Sequence, residues 1–220
     1  MRYLLGSFGL VFGVCQGGYA LQSCPVPSYK AIYSVYSDGK YLGDHKDQLI
    51  YLPKNAYEME GNSDFHVLFF SDHLQSKSMG KYDRSGFFPL SYHFSESVKG
   101  VKLKRTMNKG VQDNLTIGLA LSAKLLANPK VGKFSLKLDD GHTVHTIHYT
   151  VSSTKHTATL KGYRKLSLVK VTADTPGGET DYYLANALHY MPVSVVKWQD
   201  KKPIKSVMIH YQKVQSTLCV

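Results

Sequence analysis

Three histidines at even spacing, His142, His145 and His148, are the first residues of this chain to invite a chemical reading, as ligands of a metal ion. The segment around them, Thr143 to Val151, alternates as a strand does, and a strand points successive side chains to opposite faces. His142 and His148 then share a face but stand about 20 Å apart, while His145 takes the other face. One ion cannot be reached by that set, so no metal site is expected. The other histidines (His45, His66, His73, His93, His156, His189 and His210) are scattered and read as surface or strand positions. Glu58 and Glu60 are the second candidate. On one strand face they lie about 7 Å apart, a spacing compatible with acid–base work on a glycosidic bond. No neighbour in the sequence would hold one of them protonated, however. Asp139-Asp140 precedes Gly141 and reads as turn chemistry, because Asp at a reversal accepts from its own backbone. There is no Gly-x-Ser-x-Gly elbow, Walker loop, dinucleotide fingerprint or Cys–His pair. No catalytic residue, cofactor or metal ligand is assigned, and an enzyme is not expected.

The elements that would position any site are mostly strands. Lys161 to Tyr211 sets the pattern: four apolar-alternating segments, with Pro176-Gly177-Gly178 and Asp200-Lys201-Lys202-Pro203 as reversals. Upstream, Tyr29 to Tyr36 reads as a strand ending at Asp38-Gly39, and Lys40 to Leu52 as a second, stopped by Pro53. Ala56 to Glu60 and Phe65 to Phe70 read as a pair around Gly61-Asn62, with the Phe70 segment central in the sheet. Leu74 to Arg84 is polar and reads as a loop. Pro89 to Ser97, Val101 to Met107, Lys133 to Leu138, Thr143 to Val151, Lys155 to Lys161 and Tyr163 to Thr172 are further strands. The pattern predicts one helix, over about 113–128, capped by Asp113 or Asn114 and stopped by Pro129. Its leucines and isoleucine occupy opposite sides and only Lys124 is charged within Leu115 to Ala127, which marks a buried helix. The expected fold is mainly β: an antiparallel curved sheet, half-barrel or barrel of about a dozen short strands around that helix. Trp198 is the only tryptophan, either a core anchor or a stacking platform if the concave face is open.

The first twenty residues read as an address. Arg2 precedes an apolar run from Tyr3 to Val14, and Gly18-Tyr19-Ala20 places small residues at −3 and −1, as in a secretory signal peptide. The run is shorter than the roughly 20 residues of a membrane span. Cleavage between Ala20 and Leu21 leaves 21–220 as a single β-rich domain and places the protein in the periplasm. Cys15 departs with the signal, leaving Cys24 and Cys219 at opposite ends. In an oxidising compartment such a pair reads as a disulfide. Lipid attachment at Cys24, after Leu21-Gln22-Ser23, is the competing reading, weakened by Gln22 and by the orphan Cys219 it would leave. Asn114-Leu115-Thr116 matches a glycosylation acceptor, meaningful only in a eukaryotic secretory pathway.

With 220 residues and a formal net charge of +11, the chain is basic, but its Lys and Arg are dispersed. That suits a solvated surface or attraction to an anionic membrane surface; export argues against nucleic acid.

The order of motifs resembles a family of bacterial envelope proteins, the domain of unknown function numbered 3108. Ser85-Gly86-Phe87-Phe88-Pro89-Leu90-Ser91-Tyr92, Asp113-Asn114-Leu115-Thr116, Asp139-Asp140-Gly141, Thr175-Pro176-Gly177-Gly178, Tyr190-Met191-Pro192-Val193 and Val196-Lys197-Trp198 carry the resemblance. Two details depart from it: the proline step precedes the tryptophan, and Thr116 stands where a serine is usual. The resemblance implies an exported, mostly antiparallel protein with no established activity. By fold analogy it is similar to envelope carriers that hold acyl chains in a concave sheet. Two functions follow as expectations. One is a binding protein for a lipid or other hydrophobic ligand, with Leu119 and Trp198 facing it. The other is a structural or interaction protein with a filled core, whose function lies with a protein partner.

Overall fold

The computed structural model describes residues 24–67, 70–175, 177–199, 202–216 and 218. The expected signal segment, its cleavage point at Ala20–Leu21 and Cys219 lie outside the described residues. Among those residues fourteen strands and one α-helix follow in order. They are β1 (Tyr29–Ser37), β2 (Lys40–Leu52), β3 (Ala56–Val67), β4 (Phe70–Asp83), β5 (Gly86–Glu96), β6 (Lys102–Thr106), β7 (Val111–Asp113), α1 (Ile117–Ala127), β8 (Lys133–Asp139), β9 (Val144–Val151), β10 (His156–Leu160), β11 (Tyr163–Thr175), β12 (Gly178–Ala185), β13 (Met191–Gln199) and β14 (Lys202–Lys213). All belong to one sheet, in the order β6-β5-β4-β3-β2-β1-β14-β13-β12-β11-β9-β8-β7, with β10 paired to β11. Every pairing is antiparallel except the short β7–β8 pair.

The sheet is large, curved and not closed. Its two ends approach each other without a backbone ladder, and side chains bridge the seam. From β6, Arg105 donates to the Gly141 carbonyl, its Nε at 3.1 Å, and to the His142 carbonyl at 3.2 Å. Gln112 in β7 donates to the Phe87 carbonyl of β5 at 2.9 Å. The short helix α1 packs on β5, β7 and β13, strands far apart in sheet order, and therefore crosses the concave face. Leu119 points into one apolar cluster with Tyr29, Tyr33, Leu49, Tyr57 and Phe87. Ile117, Leu121 and Leu125 point into a second, with Ile147, Tyr149, Val171 and Leu184. The all-round apolar sequence is thus explained: both sides of the helix are core.

Four local expectations are corrected. Gly61-Asn62 is no turn. It lies inside β3, and the reversal falls between Val67 and Phe70, which pair across the hairpin end. The Phe70 segment is therefore a hairpin end, not the centre of the sheet. Leu74 to Arg84 is β4 rather than a loop up to Asp83. Its serines and Gly80 are small because Tyr57 and the segment before the helix press against that face. The helix begins at Ile117, four residues after Asp113. Asp113 is fully buried and accepts from Leu115 N, Thr116 N, Thr116 Oγ1 and Ser78 Oγ, which turns the chain before the first helical residue. Burial pushes its carboxyl above the ordinary carboxylate range, against those four bonds.

Candidate functional site

The residues first singled out for chemistry are dispersed by the fold. His142 sits in the β8–β9 turn, His145 contacts Asp140 at 3.0 Å, and His148 meets Ser135 Oγ at 2.8 Å. Asp140 Oδ1 accepts from His142 N and Thr143 N, and Asp139 Oδ1 from Gly141 N, which is turn chemistry. Among the described residues no group of three or more His, Cys, Asp and Glu could hold a metal ion. Glu58 and Glu60 do share a face, and Lys77 Nζ lies between them at 2.8 Å and 3.1 Å. Both carboxylates thus grip one ammonium, an ion-pair arrangement rather than an acid and a base set across a glycosidic bond. The Glu58 partner is also what raises the Lys77 amine, against partial burial and with help from Glu60.

One constellation was missed in the sequence. His45 Nδ1 lies 2.7 Å from Ser63 Oγ across the β2–β3 ladder, and His45 Nε2 lies 2.6 Å from Asp47 Oδ1. Serine, histidine and aspartate stand in series as in a nucleophilic triad. The order is set by strand geometry: His45 and Asp47 are two apart on one face, and Ser63 is the register partner of His45. His-x-Asp on a strand was a legible signal. Placing Ser63 needed the true register of β3, which the false turn at Gly61 hid. The array is poorly built for acyl transfer. Ser63 is buried, neither cleft described below reaches any of the three residues, and Asp47 Oδ1 accepts no well-directed hydrogen bond. Its electrostatics are nevertheless defined. Burial opposes the imidazolium, and the Asp47 carboxylate outweighs it and raises the His45 pKa.

Two concavities open on the surface. The first is an apolar cleft of about 270 Å³. Strand β11 runs past its pairing with β12, and its first half with β10 forms a two-stranded ribbon that folds back towards β14. Ala158, Leu160, Leu166 and Leu168 line the ribbon side, and Val193, Val196, Val207 and Met208 the sheet side. Register puts Tyr183, Ser194 and Val207 in one row, on the face of β12 opposite Leu184 and the helix. Lys205 and His156 are the residues of this lining that can carry positive charge; Lys205 is exposed and pairs with no carboxylate among the described residues. The second concavity, about 570 Å³, is a polar groove across β3, β4, β5 and β6.

Leu119 and Trp198 do not share a site. Leu119 is 1% exposed within the core, whereas Trp198 is 41% exposed at the end of β13, opposite Pro203. Cys24 packs against the same apolar cluster as Leu218, and Ser28 accepts a backbone bond from Val214, so the first and last described segments lie together. Among the described residues no helix is long and apolar enough to cross a membrane.

No family model and no curated protein matches the chain. A solved structure does: the crystal structure of a beta-barrel-like protein of a domain of unknown function, DUF1849, from Brucella abortus. It is 10% identical over 89% of this chain and the whole of that one, with a TM-score of 0.55. At that identity the similarity defines a class by fold alone, a beta-barrel-like curved sheet, and assigns no activity.

Proposed function

We propose that this chain is an exported envelope protein that binds a single-chain anionic amphiphile in the cleft between the β10–β11 ribbon and β12–β14. The observation that carries the reading is the lining: half-buried Ala158, Val196 and Val207 over a floor of buried Leu160, Leu166, Leu168, Val193 and Met208, with one unpaired lysine among its residues. A volume of about 270 Å³ accommodates roughly nine groups of about 30 Å³. Burying that many methylenes contributes roughly 7 kcal/mol before the cost of ordering the chain. The Lys205 ammonium supplies a counter-charge for a carboxylate or phosphate head left in water. The resemblance to envelope proteins, the signal-like first twenty residues and the basic surface agree with export and with docking to an anionic membrane. A structural or interaction role is the second reading, favoured by the buried Leu119, because the concave face is filled by the protein's own helix.

Calorimetric titration with decanoate tests the proposal. We expect saturable binding at one site, weakened more than tenfold in Val207→Glu, which sets a charge in the cleft, and about threefold in Lys205→Gln. Binding unchanged in Val207→Glu, or no binding by the folded protein, would refute it.

A further inference from the structure

The polar groove lies on a different part of the sheet and has a regular construction. Register places Glu60, Lys77, His93 and Lys104 in one cross-strand row, and Asn62, Gln75, Ser95 and Lys102 in the next. Rows on one face are about 7 Å apart and strands about 4.8 Å apart. Eight polar side chains therefore tile an area of roughly 14 by 7 Å. This is the face opposite buried Tyr57, Met59, Ser78 and Tyr92. No apolar side chain occupies either row. The aromatic residue of the lining, Phe94, belongs to the opposite face and packs with Tyr92 and Leu103. Apart from the His93 imidazole, a neutral sugar would find no ring to stack on.

The charges are unevenly spent. Lys77 is held by Glu58 and Glu60, whereas Lys102 and Lys104 pair with no carboxylate among the described residues. Both are exposed, two residues apart on one strand, with the Ser95 hydroxyl and the Asn62 and Gln75 amides in line with Lys102. Two unpaired ammoniums grip an anion, and amides and hydroxyls both donate to and accept from sugar hydroxyls.

From this juxtaposition we propose that the β3–β6 groove is a binding site for a phosphorylated saccharide. Its phosphate lies on Lys102 and Lys104 and its hydroxyls on Asn62, Gln75 and Ser95. The site is independent of the amphiphile cleft and of its ligand.

The test is a titration of ¹⁵N-labelled protein with glucose 6-phosphate, glucose and inorganic phosphate, read by amide shifts at low salt. Glucose 6-phosphate should perturb amides of β3 to β6 and bind at least fivefold more tightly than inorganic phosphate. Glucose alone should leave the spectrum unchanged. Lys102→Gln/Lys104→Gln should lower the affinity at least tenfold. Asn62→Ala/Gln75→Ala should remove the preference for the sugar phosphate while leaving phosphate binding intact. These positions are on the surface, so the variants should keep the unperturbed spectrum elsewhere. Three results overturn the proposal: equal affinity for inorganic phosphate and the sugar phosphate, shifts spread over the whole basic surface, or unchanged affinity in the double-lysine variant. The last would leave Lys102 and Lys104 as charges that keep the edge strand β6 from pairing with another sheet.

Discussion

The two concavities of this protein are made from the same material, antiparallel strands in good register, yet they are lined by different residue types. Between the ribbon and β12–β14, both walls present aliphatic side chains and little charge. Across β3 to β6, a single wall presents amides, hydroxyls and ammoniums. The difference comes from what covers the face. A two-stranded ribbon folded over the sheet makes a second layer and keeps water from apolar groups. An uncovered face must satisfy water, and its pockets are polar. The sheet thus keeps an aliphatic-lined recess apart from a polar-lined one without a second domain.

This comparison can be broken at the core that both concavities share. The largest effect is expected from the chain ends. If Cys24 and Cys219 are bridged, as we propose, the long closed loop stabilises the fold by up to roughly 5 kcal/mol in the chain-entropy model. Non-reducing mass analysis of the protein from Leu21 onward should find no free thiol, and reduction should lower the urea midpoint while both concavities remain in the folded fraction. Two free thiols would contradict the bridge. Next is Leu119→Ala. A residue 1% exposed in a packed cluster should cost about 3 kcal/mol of stability and leave decanoate affinity unchanged. A large affinity loss at constant stability would instead make Leu119 a ligand contact.

A smaller effect is tied to pH. The Asp47 carboxylate holds the His45 pKa above its ordinary value near 6.5. A raised folded pKa contributes stability that is fully present below the unfolded pKa and is lost as pH rises through the folded one. Asp47→Asn should therefore be less stable than the parent at pH 5.5, and the two should converge at alkaline pH. Divergence that grows with pH would reverse the assignment. Smallest of all is Glu58→Gln. It leaves Lys77 with Glu60 and should shift stability by less than about 1 kcal/mol.

The class of fold was legible because alternation and turn residues are local signals. Asp38-Gly39, Asp139-Asp140-Gly141 and the Thr175–Gly178 step each ended a strand where the sequence placed one. The buried helix was legible from its apolar circumference, but not its first turn, because Asp113 caps through a buried loop rather than at the helix start. Strand β4 was hidden because its polar side chains suit an exposed face, while its Ser78 and Gly80 are required by the close approach of Asp113 and Tyr57. The sites were the least legible part. The polar groove needs the register of four strands, and the apolar cleft needs a ribbon folded over the sheet; neither is a local property. Arg105 carries no sequence signal for the seam it bridges, since its partners are carbonyls of a turn 36 residues away.

The central claim is that the ribbon covers a ligand-binding cleft and not merely a patch of core. It is tested most directly by solvent extraction of gently purified protein followed by mass spectrometry. The account predicts a stoichiometric anionic single-chain amphiphile in the extract of the parent and its absence from Val207→Glu. An empty extract from folded parent protein that also fails to bind decanoate would contradict it.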